Sequence, residues 1–218
     1  MRLFFIEIQR IVAKWLLCAM RINLLLFLLF TAVVKNIAQD SLWTIRSIDF
    51  QTKTLSEGWM ETICIGASFK LTMPGSFQLK SDSIDIDTGD LYVHNFYFHQ
   101  KKDKTKGIET DLVFTLSIYD YPFLIPKDST EILADFLMAT VEAAAEGVKG
   151  ELVYQSDIVL QKHEGKIWRI HYNEGNSVIR SKGFLLKNRL YLLSVATSKK
   201  YSLNEFSDKF FHSFRFLE

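Results

Sequence analysis

Residues 151–198 read ELVYQSDIVLQKHEGKIWRIHYNEGNSVIRSKGFLLKNRLYLLSVATS. Four runs rich in β-branched and aromatic residues follow one another there, at 152–161, 167–172, 177–186 and 189–197. Such runs suit a pleated, half-buried surface. Only Glu164-Gly165, Glu174-Gly175 and Lys187-Asn188 separate them. Connections this short join antiparallel neighbours, because a parallel pair needs a crossover of about a dozen residues or more. Asn188 is expected to take positive φ in the last turn. Alternation along Trp168-Arg169-Ile170-His171-Tyr172 puts Arg169 and His171 on one face and the three apolar side chains on the other. The chain is therefore expected to be built on an antiparallel meander.

Working outward, the segment before the meander carries the clearest helix. Asp128, with Glu131 three residues on, resembles a capping box. Ile132, Leu133, Phe136, Leu137, Thr140, Ala143 and Ala144 then recur at spacings of three and four, and Gly147 and Gly150 end the pattern. After the meander, Ser202 and Glu205 suggest a second capped helix bearing Phe206 and Phe210 on one face, with Phe211 and Phe214 near. Further upstream, strands are expected at 111–121, 91–100, 81–90, 77–79, 62–73 and 42–50, with a charged hairpin loop at 101–107. Pro74-Gly75 ends the run at 62–73. Strands, helix, meander and helix in that order define an α+β class, an antiparallel β-sheet flanked by helices in an α/β/α sandwich.

The chain has 218 residues, with 26 Lys plus Arg against 25 Asp plus Glu and a net charge of +1. These values exclude a disordered chain and leave no overall electrostatic footprint for nucleic acid. The average conceals an asymmetry. Residues 1–38 carry Arg2, Arg10, Lys14, Arg21 and Lys35 against Glu7 alone, a balance of +4, which leaves the remaining 180 residues at −3. Residues 22–34, INLLLFLLFTAVV, are uncharged. A basic start, a short apolar stretch and a small residue beyond it make a secretory signal peptide. Cleavage is expected after Ala38, with Asn36 at the −3 position where a small residue is preferred. Met20 is a candidate true start, which would make residues 1–19 an upstream extension. The alternative is an uncleaved membrane anchor through residues 22–34, but 13 helical residues reach only about 20 Å across a core of about 30 Å. The expected organisation is a signal segment at 1–38 and a single α+β domain at 39–218, exported to the periplasm or the extracellular space.

Tests for chemistry return little. His94 and His99 lie five apart on a strand and point to opposite faces, about 17 Å apart, so they share no metal. Asp85, Asp87 and Asp90 miss the spacing of a calcium loop. No G-x-S-x-G, phosphate loop or dinucleotide fingerprint occurs. Cleavage at Ala38 would leave Cys64 as the sole cysteine, and its neighbours Ile63 and Ile65 suggest a buried strand position. No catalytic, metal or cofactor residue is expected. Arg169 and His171 are the candidate recognition patch, weighed against a plain polar strand face.

The order of several motifs resembles the PsbP-like superfamily, which includes extrinsic photosystem II proteins and a Ran-binding nuclear-import factor. Phe69-Lys-Leu-Thr-Met-Pro74-Gly is similar to its opening strand, and the helix from Glu131 to Gly147 follows. Gly165-Lys-Ile-Trp-Arg169-Ile resembles a G-x-x-x-R strand, Arg189-Leu-Tyr191-Leu-Leu its penultimate strand, and Phe210-Phe-His-Ser213-Phe214 its closing F-x-x-S-F. The resemblance covers roughly residues 66–216 and leaves 42–64 without a counterpart. It implies a PsbP-like sheet between helices and a non-enzymatic binding or assembly protein with a protein or envelope-surface partner. Two other readings stand beside it: a small-molecule or lipid carrier whose pocket is lined by Tyr92, Phe96, Tyr97 and Phe98, and a hydrolase of unrecognised geometry.

Overall fold

The computed structural model describes residues 48–103, 105, 109–124 and 130–217. The expected signal segment at 1–38 lies outside them. The meander forms β7 (Glu151–Leu160), β8 (His163–Tyr172), β9 (Ser177–Leu186) and β10 (Arg189–Ser198). Its first turn sits elsewhere than expected. Gln161 and Lys162 make it, with φ of 49° and 69°, while Glu164 and Gly165 are paired inside β8 with Val159 and Ile158. Gly165 is there for close approach. A Cβ at this position would stand 2.4 Å from the Gly183 carbonyl oxygen and 2.4 Å from the Phe184 ring. In the last turn positive φ falls on Lys187, at 57°, and not on Asn188. The buried Asn188 amide instead donates to the Tyr121 carbonyl at 2.9 Å, tying this turn to the end of a neighbouring strand.

β4 (Gln78–Ile86), β5 (Gly89–Gln100) and β6 (Leu112–Asp120) complete a seven-stranded antiparallel sheet. Its order is β4-β5-β6-β10-β9-β8-β7. The expected single strand at 62–73 is instead a hairpin of β2 (Met60–Cys64) and β3 (Phe69–Met73). The run is apolar on both sides of its turn, so composition alone does not mark the break. Ser68 takes φ of 50° and its amide donates to the Ile65 carbonyl at 2.9 Å. The strand expected at 42–50 falls mostly outside the described residues. Residues 42–47 lie outside the described residues, 48–50 are not in a strand, and β1 is Gln51–Thr54. With β11 (Arg215–Phe216), β1, β2 and β3 form a second, four-stranded sheet that the sequence pattern did not announce.

Helix α1 (Thr130–Gly147) lies on one face of the large sheet. It buries Leu137, Val141 and Ala144 against Trp168, Ile170, Leu185 and Leu190. Its expected cap, Asp128, is outside the described residues. Helix α2 (Glu205–Ser213) is capped by Asn204, whose side-chain oxygen accepts the Ser207 amide at 2.8 Å. The expected cap, Ser202, is taken up in closing the turn at Lys199–Tyr201. The small sheet and α2 together cover the other face, so that layer mixes strand and helix where helix alone was expected. Its core is aromatic: Phe69, Phe96, Phe114, Phe184, Phe210 and Phe214 are all buried. Edge-on and stacked rings here lie 5.0–6.3 Å apart, each pair adding about 0.5–1.5 kcal/mol beyond its area. No described helix is long and apolar enough to cross a membrane.

Candidate functional site

Arg169 and His171 do share one face of β8, the face turned toward α2, while Trp168 and Ile170 are buried beneath α1. Both polar residues are half-buried. Arg169 stands opposite Tyr154 of β7 and Arg180 of β9; His171 stands opposite Glu151 and Val178. Like charges facing each other across a ladder repel. Arg180 is compensated, since it pairs with Asp208 at 3.1 Å and donates to the Ser202 carbonyl at 3.2 Å. Arg169 has no matching acid among the described residues, and its Nε is buried without an acceptor.

Two positions along β9, Lys182 continues the basic row on the same face. Its ammonium lies 5.5 Å from the centre of the Phe211 ring, which Arg180 also covers at 5.4 Å. Burial lowers the Lys182 pKa, the nearby Arg180 and Arg215 push the same way, and Asp208 opposes them. A cavity of about 210 Å³ opens beside it, lined by Ile158, Ile167, Phe184, Leu193, Phe211 and Phe214 among others. Sequence reading passed over Lys182. A lone lysine in a strand looks like solvent-face charge until the helix that covers it is in place.

The aromatics of β5 serve packing. Phe96 is fully buried with its ring 5.4 Å from Phe69 and 5.2 Å from Phe77, and Phe98 faces Phe114 at 6.5 Å. The Tyr97 hydroxyl donates to Gln78 and the Tyr92 hydroxyl to Asp90 at 3.3 Å. Tyr92 also borders a second hollow of about 210 Å³ with Ser81 and His94. Both hollows fall below the roughly 300 Å³ of an ordinary ligand pocket. His94 and His99 sit on opposite faces of β5. The buried His94 shares a 2.8 Å hydrogen bond between its Nδ1 and Ser81 Oγ, and His99 lies 3.7 Å from Asp111. Asp85 and Asp90 are opposed across the exposed β4–β5 turn. Among the described residues no three His, Cys, Asp or Glu side chains converge as a metal site. Cys64 is fully buried, its Sγ accepting the Ala67 amide at 3.3 Å, and burial raises its pKa, so its thiol stays protonated.

The chain is similar to cyanobacterial PsbP. That protein, from Synechocystis, shares 12% identity over 84% of this chain and 98% of its own, with a TM-score of 0.38. A protein of unknown function from Pseudomonas aeruginosa shares 15% identity over 69% of this chain and 84% of its own, also with a TM-score of 0.38. No protein-family model and no curated protein sequence matches the chain. Neither neighbour brings a partner or a reaction with it.

The motif residues behind the PsbP-like resemblance have structural work to do. Ser213 Oγ accepts the Thr72 amide at 2.9 Å and lies 2.8 Å from the Phe210 carbonyl, so it ties α2 to β3. Arg189, opening β10, is opposite Asp120, closing β6, and the two form a buried ion pair at 2.6 Å. Arg189 also reaches the Gly66 carbonyl at 3.3 Å, and Tyr191 donates to the Ala67 carbonyl at 2.7 Å. The β2–β3 turn is thereby fastened to the large sheet. Asp120 and Arg189 are 69 residues apart and carry no local signal of their pairing.

Proposed function

We propose that this chain is an exported, non-enzymatic binding domain that takes an extended segment of a protein partner along the free edge of β7. The observation that carries the reading is the contrast between the two edges of the large sheet. β4 is guarded by exposed Lys80, Asp82 and Asp85, which discourage strand addition. β7 is ten residues long and pairs among the described residues only with β8; beside its exposed acids Glu151 and Asp157 and a register shift between Leu152 and Tyr154, it exposes the large apolar side chains Val153, Tyr154 and Val159 at 46%, 52% and 70%, which β4 does not. An added strand gains main-chain hydrogen bonds from the edge and specificity from alternate side chains. Opposite Tyr154 stands the half-buried Arg169, a cation with no acid partner among the described residues, so the partner segment would carry a carboxylate toward its guanidinium. Arg169 and His171 are the recognition residues in this reading. The basic, apolar segment at 1–38 supports export, with loss of the segment after Ala38.

The test pairs two measurements. Protein recovered from a cell envelope is sequenced from its N-terminus; a start after Ala38 is expected, and an intact Met1 in the cytoplasm would sink export. The partner captured from that envelope by the wild-type chain is then presented to Tyr154→Lys and Val159→Lys. Binding is expected to fall at least about tenfold for each, equivalent to about 1.4 kcal/mol, with unchanged circular dichroism. Undiminished binding by both variants would remove the β7 edge from the reading.

A further inference from the structure

We infer that the cavity between β7, β8, β9 and α2 is a binding site for a short apolar carboxylate, its hydrocarbon body among Ile158, Ile167, Leu193, Phe211 and Phe214 and its carboxylate on Lys182. The cavity meets the β7 edge at Val159, which borders both, but ligand binding in it does not depend on strand addition there. Three observations carry it. The cavity wall is apolar apart from one charged side chain, Lys182. That ammonium has no carboxylate among the described residues within ion-pairing reach; its neighbours are the Phe211 ring and the like charges of Arg180 and Arg215. The one acid of the group, Asp208, is held by Arg180 at 3.1 Å. A half-buried cation left without a counter-ion is an electrostatic vacancy, and an incoming anion fills it in a setting where screening is weak.

The volume restricts the ligand. At about 210 Å³ the cavity is smaller than the roughly 300–1,000 Å³ of drug-sized pockets, so it suits a medium-chain fatty acid or an arylalkanoate and not a long-chain lipid. The charge sign excludes amines, and the apolar wall disfavours small hydrophilic anions, which would lose hydration with no compensating contact. Release of the like-charge strain around Lys182 adds a second signature. Bound carboxylate stabilises the ammonium, so the Lys182 titration moves to higher pH.

The experiment uses octanoate, 1-octanol and octylamine as probes against the full chain, followed by methyl resonances of Ile158, Ile167 and Leu193 and by the side-chain titration of Lys182. Octanoate is expected to shift these methyls saturably and to bind about tenfold more tightly than octanol, with octylamine weakest, and to raise the Lys182 midpoint. Lys182→Gln should erase the preference for octanoate over octanol, and Lys182→Arg should keep it. If Lys182→Gln fails to fold, the Lys182 midpoint in wild-type protein still decides. Equal binding of octanoate and octanol with an unmoved midpoint would overturn the carboxylate role. No saturable shift with either probe would overturn the site. Envelope partner capture is unaffected by either of these results, so failure here and failure of the β7 edge are told apart.

Discussion

At the residue scale, stability rests on a few buried polar contacts that join distant parts of the chain. Asp120 is fully buried and paired with Arg189, itself only 8% exposed at the side chain. Removing one partner strands the other charge in the interior, which costs more than the pair contributes when intact. Asp120→Ala is expected to lower the unfolding free energy by about 3–5 kcal/mol in urea titration, and a change under about 1 kcal/mol would show that Arg189 finds water instead. Tyr119 gives a pH prediction. Burial holds its phenol up to about 12, from an ordinary 10. The unfolded chain ionises that phenol first, so between those values it binds fewer protons than the folded chain and stability falls as pH rises. The contribution is complete below about pH 10 and gone by about pH 12. Burial raises the Tyr172 and Tyr191 pKa values too, and they act in the same direction. Melting temperatures at about pH 9 and about pH 11 should show the fall, and Tyr119→Phe should make it shallower.

At the scale of elements, the meander was legible because its signals are local. β9 lies at Ser177–Leu186, the residues expected, since alternation and Glu174-Gly175 both mark its start. The hairpin at Met60–Met73 was not legible, because its turn is an apolar Ile65-Gly66-Ala67-Ser68 held by tertiary contacts to Arg189 and Tyr191. Helix α2 shows the same limit. Ser202 and Asn204 are both good caps by type, and the turn at Lys199–Tyr201 decides between them by occupying Ser202. Asn204→Ala should therefore destabilise by about 1 kcal/mol, read by thermal melting, while Ser202→Ala should cost well under half of that. The reverse order would restore the expected capping box.

At the scale of the whole molecule, two buried clusters lie on opposite faces of one sheet and share its central strands. β6 and β10 contribute Leu116 and Leu193 to one cluster and Tyr119 and Leu192 to the other. β1, by contrast, is exposed along all four residues and pairs only with β2 among the described residues. Amide exchange should accordingly be slowest in β6 and β10 and fastest in β1, because local opening follows buried contact density. Slow exchange in β1 would mean that the small sheet is more firmly closed than its exposure indicates. The same architecture makes the candidate site. Arg169 and His171 could be placed on one strand face from alternation alone, yet the neighbours that give that face its chemistry come from β9 and α2.

The amino-acid sequence by itself determined the α+β class, the antiparallel meander, the helix before it and the basic apolar character of residues 1–38, because period, turn residues and charge are written over short spans. It also placed Arg169 and His171 on a shared face. Tertiary structure alone decided the second sheet, the Asp120–Arg189 pair and the isolation of Lys182 beside an apolar cavity. Each of those depends on side chains brought together from tens of residues away, where strand register and burial, and not local preference, choose the partner.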